Sequence, residues 1–196
     1  MQKSKNLSWF VLLIISFVSP TFGGAQSLPT EESGKVFFSE VVLADSFPNG
    51  KLYSNSITWL KSLNRAEEKF TLLTGDSIQS SINGQYEFQV FAQSGLLRKM
   101  VGLISCKLAI DTKDAKFRYS FSDFVYHYYK EDRNYKMAKT GKIKPLEDKE
   151  AIGWQKLWEK HKQTTNTKIN SLITSMKSEI PKKLTTPAKK ANKVEW

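Results

Sequence analysis

Two histidines, one cysteine and one aspartate in an aromatic strand are the residues of this chain that could do chemistry. Neither His127 nor His161 has a second histidine or a cysteine at the spacing that a zinc or iron site needs, so no metal ligand set is expected. His161 lies on a helical stripe beside Trp158, which suits a packed residue. His127 sits among tyrosines at a strand end. Cys106 falls on the apolar face of a strand, where burial disfavours the thiolate, and reads as a small core residue. Asp123, the acid in KFRYSFSDF, could act as an acid or base at a strand end. It could equally bind backbone at a turn, or pair with Arg118 or a nearby lysine. Gly75-Asp76-Ser77 looks like a nucleophile turn but lacks a second glycine and an obvious base. No phosphate-binding glycine loop, dinucleotide fingerprint or calcium loop is present. The expectation is therefore no catalytic, cofactor-binding or metal-binding residues. The competing expectation is a hydrolase-like enzyme using Asp123 or His127 near the sheet end.

Charge points to binding instead. The formal net charge is +11, and it is concentrated: residues 130–196 hold 17 basic and 8 acidic residues, whereas 26–129 balance at 11 each. Such asymmetry suits an anionic partner, and it also suits a merely solvated surface. Lys182, Lys183, Lys189, Lys190 and Lys193 are the candidate binding residues, in a stretch from Pro181 to Trp196 with few apolar residues that reads as a disordered basic tail.

These residues need elements to position them. In Lys116–Phe124, Phe117, Tyr119 and Phe121 alternate with polar residues. Upstream, Ile104, Cys106, Leu108 and Ile110 do the same. Thr112 to Ala115 is short enough to join the two as a hairpin. A hairpin cannot bury its own apolar face, so other elements must cover it. Val36–Leu43 reads as a first strand. Tyr53, Ile57 and Leu60, with Trp59 and Leu63 beside them, give an amphipathic helix starting near Asn49 or Gly50. Glu67 to Lys69 reads as a solvated turn, and Phe70–Leu73 as a short apolar run of open type. Asn83-Gly84 predicts a hairpin turn between Asp76–Ile82 and Gln85–Phe91. Lys130–Lys144 reads as a loop, with room for a strand fragment. Leu146 to Glu150 opens a last helical region, with a helix from about Ala151 to Ile180 that a break at Thr164–Thr167 could interrupt.

The expected organisation is a signal peptide over 1–25, then an α+β domain over 26–145 in the order β-α-β-β-β-β. A helical region over 146–180 packs on that domain or extends from it, and the basic tail of 181–196 follows. The fold class is α+β: a curved antiparallel sheet with helices on one face and a long C-terminal helix. Tyr53 and Trp59 in the first helix, and Arg118 followed by Tyr119–Phe124, resemble the exported bacterial family called domain of unknown function 4468. The resemblance covers roughly residues 36–126. It implies a TATA-binding-protein-like fold and occurrence in Bacteroidetes, and it brings no catalytic residues, cofactor or substrate. A fold name of that kind does not imply DNA binding. Alternation puts Tyr86, Phe88, Phe117, Tyr119 and Phe121 under the helices. It leaves Gln85, Glu87, Gln89, Ser105, Lys107, Arg118, Ser120 and Ser122 on the open face, without the aromatics that stack on bases or wedge between them. Sequence-specific nucleic-acid binding is therefore not expected.

Met1–Ala25 has Lys3 and Lys5, a short apolar run to Val18, Pro20, and the small residues Gly23 and Ala25. That is a secretory signal peptide, with an apolar run too short to span a bilayer. The expected protein is an exported, non-catalytic envelope module, periplasmic or extracellular. It would act in binding or scaffolding, with an envelope protein, an acidic glycan or an anionic membrane surface as partner, no cofactor, and no transmembrane segment once the signal is removed. N-terminal sequencing of exported material should begin at Gln26; recovery of Met1–Ala25 in the membrane fraction would replace the cleaved signal by an anchor.

Overall fold

In the computed structural model, which describes residues 28–94, 97–150 and 153–182, the alternating segments form one six-stranded antiparallel sheet. The chain order is β1 (Phe38–Leu43), α1 (Asn49–Ser62), β2 (Glu68–Asp76), β3 (Ser81–Ser94), β4 (Leu97–Lys113), β5 (Lys116–Glu131), β6 (Met137–Pro145) and α2 (Gln155–Glu179). Across the sheet the order is β1-β5-β4-β3-β2, and β6 also pairs with β5. One edge of β5 is thus shared: β1 lies along Lys116–Phe121 and β6 along Val125–Glu131. Between them the β4–β5 register slips, and Asp123 takes a φ of 51°. An extra residue there lets one strand change partner along its length.

Both helices cover one face. Tyr86, Phe88, Ile104, Leu108, Ile110, Phe117, Tyr119 and Phe121 are buried beneath them, as alternation predicts, and Tyr126 joins them because the extra residue at Asp123 shifts the phase of β5. Leu52, Asn55, Ser56, Trp59 and Leu60 form the inward face of α1 at three- and four-residue spacing. No acid stands in the first turn of α1; Asp114 from the β4–β5 turn accepts the Asn49 N–H at 2.7 Å and supplies the charge that a helix start favours. α2 runs unbroken through Thr164–Thr167. Thr164 and Thr165 return their hydroxyls to the carbonyls four residues back, and Thr165, Asn166 and Ile169 are buried, so packing overrides weak propensity. The two helices are joined where Asn55 Nδ2 donates to the Ile180 and Lys182 carbonyls, and where Trp59 Nε1 donates to Ser175 Oγ.

Four expectations change. Glu68 to Asp76 is a strand, not a turn followed by a loose apolar run. Lys130–Lys144 holds the end of β5 and most of β6, which raises the strand count by one. The last helix begins at Gln155, and Leu146 instead plugs the core and donates its N–H to the Phe124 carbonyl. Asn83-Gly84 is no turn: both lie inside β3, and the chain reverses at Ser77–Ser80. The signal segment, Lys183, Lys189, Lys190 and Lys193 lie outside the described residues.

Gly84 is required for closeness. A Cβ there would stand 2.3 Å from Phe70 Cζ and 2.7 Å from the Thr71 carbonyl oxygen. The glycine lets the Phe70 ring lie flat against β3. Gly84→Ala should therefore lower stability by about 1–3 kcal/mol in urea denaturation. Adding Phe70→Leu should recover part of that loss, so that the double variant is more stable than the sum of the single changes.

Candidate functional site

The face opposite the helices is where the polar residues gather. Strand register arranges them in rows across the sheet. One row runs Gln89, Leu103, His127, Ile143. The next runs Lys69, Glu87, Ser105, Val125, Pro145, and then come Gln85, Lys107 and Ser122. None of these residues is a phenylalanine, tyrosine or tryptophan, in agreement with the face assignment made from alternation. The α1–β2 connection folds over one side of this face and encloses a cleft of about 520 Å³, lined by Asn64, Arg65, Glu67, Lys69, Glu87 and Leu103 among others.

His127 is brought onto Ser105. Its Nε2 lies 2.8 Å from Ser105 Oγ, a diagonal contact between β5 and β4. Burial first, and the nearby Lys139 ammonium second, lower the affinity of the imidazole for a proton, and Glu87 acts in the opposite direction. The ring is therefore neutral at neutral pH and able to accept the hydroxyl proton. Ser105 is only 6% exposed and belongs to a strand paired on both sides. Its pairing with β3 is continuous, and on the β5 side the register slip between Ser105 and Lys107 begins at this residue. Sequence reasoning missed Ser105, because a serine on an alternating strand looks like any outward polar residue. Only the register, with Leu103 opposite His127, reveals the pair.

Asp123 is engaged structurally. Its carboxylate lies 2.7 Å from Lys107 Nζ and 4.0 Å from Lys35 Nζ, and the hydrogen bond from Lys107 holds its pKa below the usual carboxylate value. Arg118 pairs with Asp111 instead. Cys106 is fully buried and burial pushes its thiol pKa up, so it is unreactive. His161 is packed, as its stripe predicts: it stacks on Tyr126 with ring centroids 5.0 Å apart. Among the described residues no group of three or more metal-ligating side chains converges. Lys182, the first of the candidate tail lysines, pairs with Glu179 at 2.9 Å.

Exposed cations occur on several elements of the fold, Lys61, Lys69, Lys113, Lys116, Lys156 and Lys160 among them, and one group of them lies on the hairpin of β5 and β6. Lys130, Arg133, Lys136, Lys139 and Lys142 are exposed, and among the described residues none has a carboxylate within salt-bridge distance. The sequence of this stretch has no apolar period and predicts a loop with room for a strand fragment; the structure extends that fragment to all of β6.

An antiparallel sheet with both helices on one face, in this chain order, is the architecture of TATA-binding-protein-like α+β proteins. Two solved structures share it. A DUF4468 family protein from Bacteroides ovatus superposes with a TM-score of 0.52 at 14% sequence identity, over 80% of this chain and 92% of that one. A TBP-like protein from Parabacteroides distasonis superposes with a TM-score of 0.56 at 17% identity, over 78% of this chain and 96% of that one. Identities this low establish a shared fold, including the fold of the family that the first helix and the aromatic strand resemble. No family model matches the chain, and no curated protein does.

His161 should make the fold acid-sensitive. Burial, aided by Lys160, lowers its pKa to about 4 from an ordinary 6.5. The unfolded chain takes up this proton first, so the stability from burying a neutral ring is complete above pH 6.5 and drains away as pH falls towards 4. The loss approaches about 3 kcal/mol. Glu40, Glu68 and Asp123 are held below their ordinary values by their lysine and tyrosine partners, so in the fold they stay charged at pH 5. Urea denaturation at pH 7 and pH 5 should show the loss in the native chain and a flatter dependence in His161→Phe; equal slopes would mean that the ring is not held neutral.

Proposed function

We propose that this is an exported envelope protein that binds rather than catalyses, a binding or scaffold module whose basic C-terminal third meets an anionic or protein partner. The observation that carries this reading is the row of five exposed, unpaired cations on the β5–β6 hairpin. It brings part of the positive charge of residues 130–196 onto the folded domain, at the β5–β6 turn and along β6. Export rests on the signal-like residues 1–25, and places the protein in the periplasm or outside the cell.

The alternative is a hydrolase. Asp123 is committed to lysines, and Ser105 is buried within the sheet, which weighs for the binding reading.

The test uses residues 26–196, which retain the whole described fold. This chain should be retained on heparin at low salt and released steeply as salt rises. Lys136→Gln, Lys139→Gln and Lys142→Gln together should elute at clearly lower salt, and deletion of Pro181–Trp196 should weaken retention further. Salt-resistant, base-selective duplex binding would overturn the reading, as would no retention at all.

A further inference from the structure

The start of β4 and the β5–β6 turn each carry a bare apolar side chain. The β4–β5 ladder sets Gly102 opposite Tyr128. The ladder ends at that pair; Leu97 opens β4 beyond it, and the turn after β5 holds Tyr135. Leu97 is 75% exposed and Tyr135 is 86% exposed. An ion pair between Lys99 and Glu131 ties the two hairpins together.

The Tyr135 backbone is unusual. Its φ is 58°, in the left-handed region that bulky residues seldom occupy. The turn is held by Asp132, whose carboxylate accepts the N–H groups of Asn134 and Lys136 and whose own N–H donates to the Lys136 carbonyl. Strain of this kind persists only where surrounding bonds enforce it. Here it holds an aromatic ring out at the tip, where glycine or asparagine would sit with less strain.

Beside these two positions along the chain stand Arg98, Lys99, Lys130, Arg133, Lys136 and Lys139. Of the nearby acids, Glu67 is engaged by Arg98, Glu131 by Lys99, and Asp132 by the turn. We propose that this end of the molecule docks on a membrane surface containing anionic lipid, with Leu97 and Tyr135 entering the boundary between headgroups and acyl chains while the cations meet lipid phosphates. The inference rests on the anionic-partner reading above and names the partner. A polyanionic chain satisfies the cations but offers nothing to an exposed leucine and an exposed tyrosine. A lipid interface takes projecting apolar groups without needing a shaped pocket, and a tyrosine suits its mixed polarity. Trp154, 70% exposed, lies one helical turn before Trp158, which packs on Tyr126 in the same half of the sheet.

Flotation of residues 26–196 with phosphatidylcholine vesicles, with and without phosphatidylglycerol, tests this. The chain should float only with phosphatidylglycerol. Leu97→Ser with Tyr135→Ser should weaken partitioning about tenfold or more while leaving heparin elution unchanged, because no charge is altered. Tyr135→Gly, which relieves the backbone, should fold at least as stably and still float less. If the double variant floats as well as the native chain, or the native chain binds heparin but not vesicles, the membrane inference falls and the anionic-partner reading stands. If the native chain binds neither, both fall.

Discussion

Everything on the helical side of this molecule depends on how α2 is held across the sheet. Two tyrosine–glutamate–lysine relays do this, one at each edge. Tyr86 donates to Glu68 at 2.5 Å, and Lys168 of α2 lies 2.7 Å from the same carboxylate. Tyr119 donates to Glu40 at 3.0 Å, and Lys177 of α2 lies 2.6 Å from it. Each tyrosine ring belongs to the core but its hydroxyl needs a partner, and each glutamate needs a cation. Burial opposes ionisation of Glu68, and its bonds to Lys168 and Tyr86 outweigh that, so it stays charged. The helix is thereby fixed in position along both edges, while Trp158, Ile169 and Met176 seal the apolar layer between them. One-sided burial makes the sheet need a cover, and the relays decide where the cover sits.

The central hairpin, α1 and the division of the sheet into two faces were legible because strict alternation and helical spacing mark buried stripes. What escaped notice had no such mark. β6 is exposed along nearly its whole length, so neither of its faces is apolar and its sequence has no period to read. β2 has one buried anchor, Phe70, and a register slip between Leu72 and Thr74 that breaks its pattern. Asn83-Gly84 carried a true turn composition used for another purpose, the approach of a ring. The Ser105–His127 pair was invisible for a different reason: it exists only through strand register, and register is a long-range property that local sequence does not carry.

The lysines of β6 also have a second physical consequence. β6 is an edge strand, and its outer backbone groups are unpaired within the sheet. Charged side chains and a bulge at an edge oppose chain-to-chain pairing. Here Lys139, Lys142 and the turn at Gly141, with its φ of 78°, provide both. The same residues that suit an anionic surface keep this edge from seeding aggregates, so substituting them removes two properties at once.

The shared edge of β5 imposes an order of events on the growing chain. Phe38 must wait for Phe121, and all of β1 waits for a strand synthesised long after it. β6, by contrast, follows β5 almost at once and closes as a local hairpin. Long-range pairing is slow because a large loop must close before any contact rewards it. β1 therefore joins strands that have already paired, and until then Phe38, buried in the finished fold, has no partner. The step most open to misassembly in this protein is the pairing of β1, the first of the described strands, with a partner that is made far later.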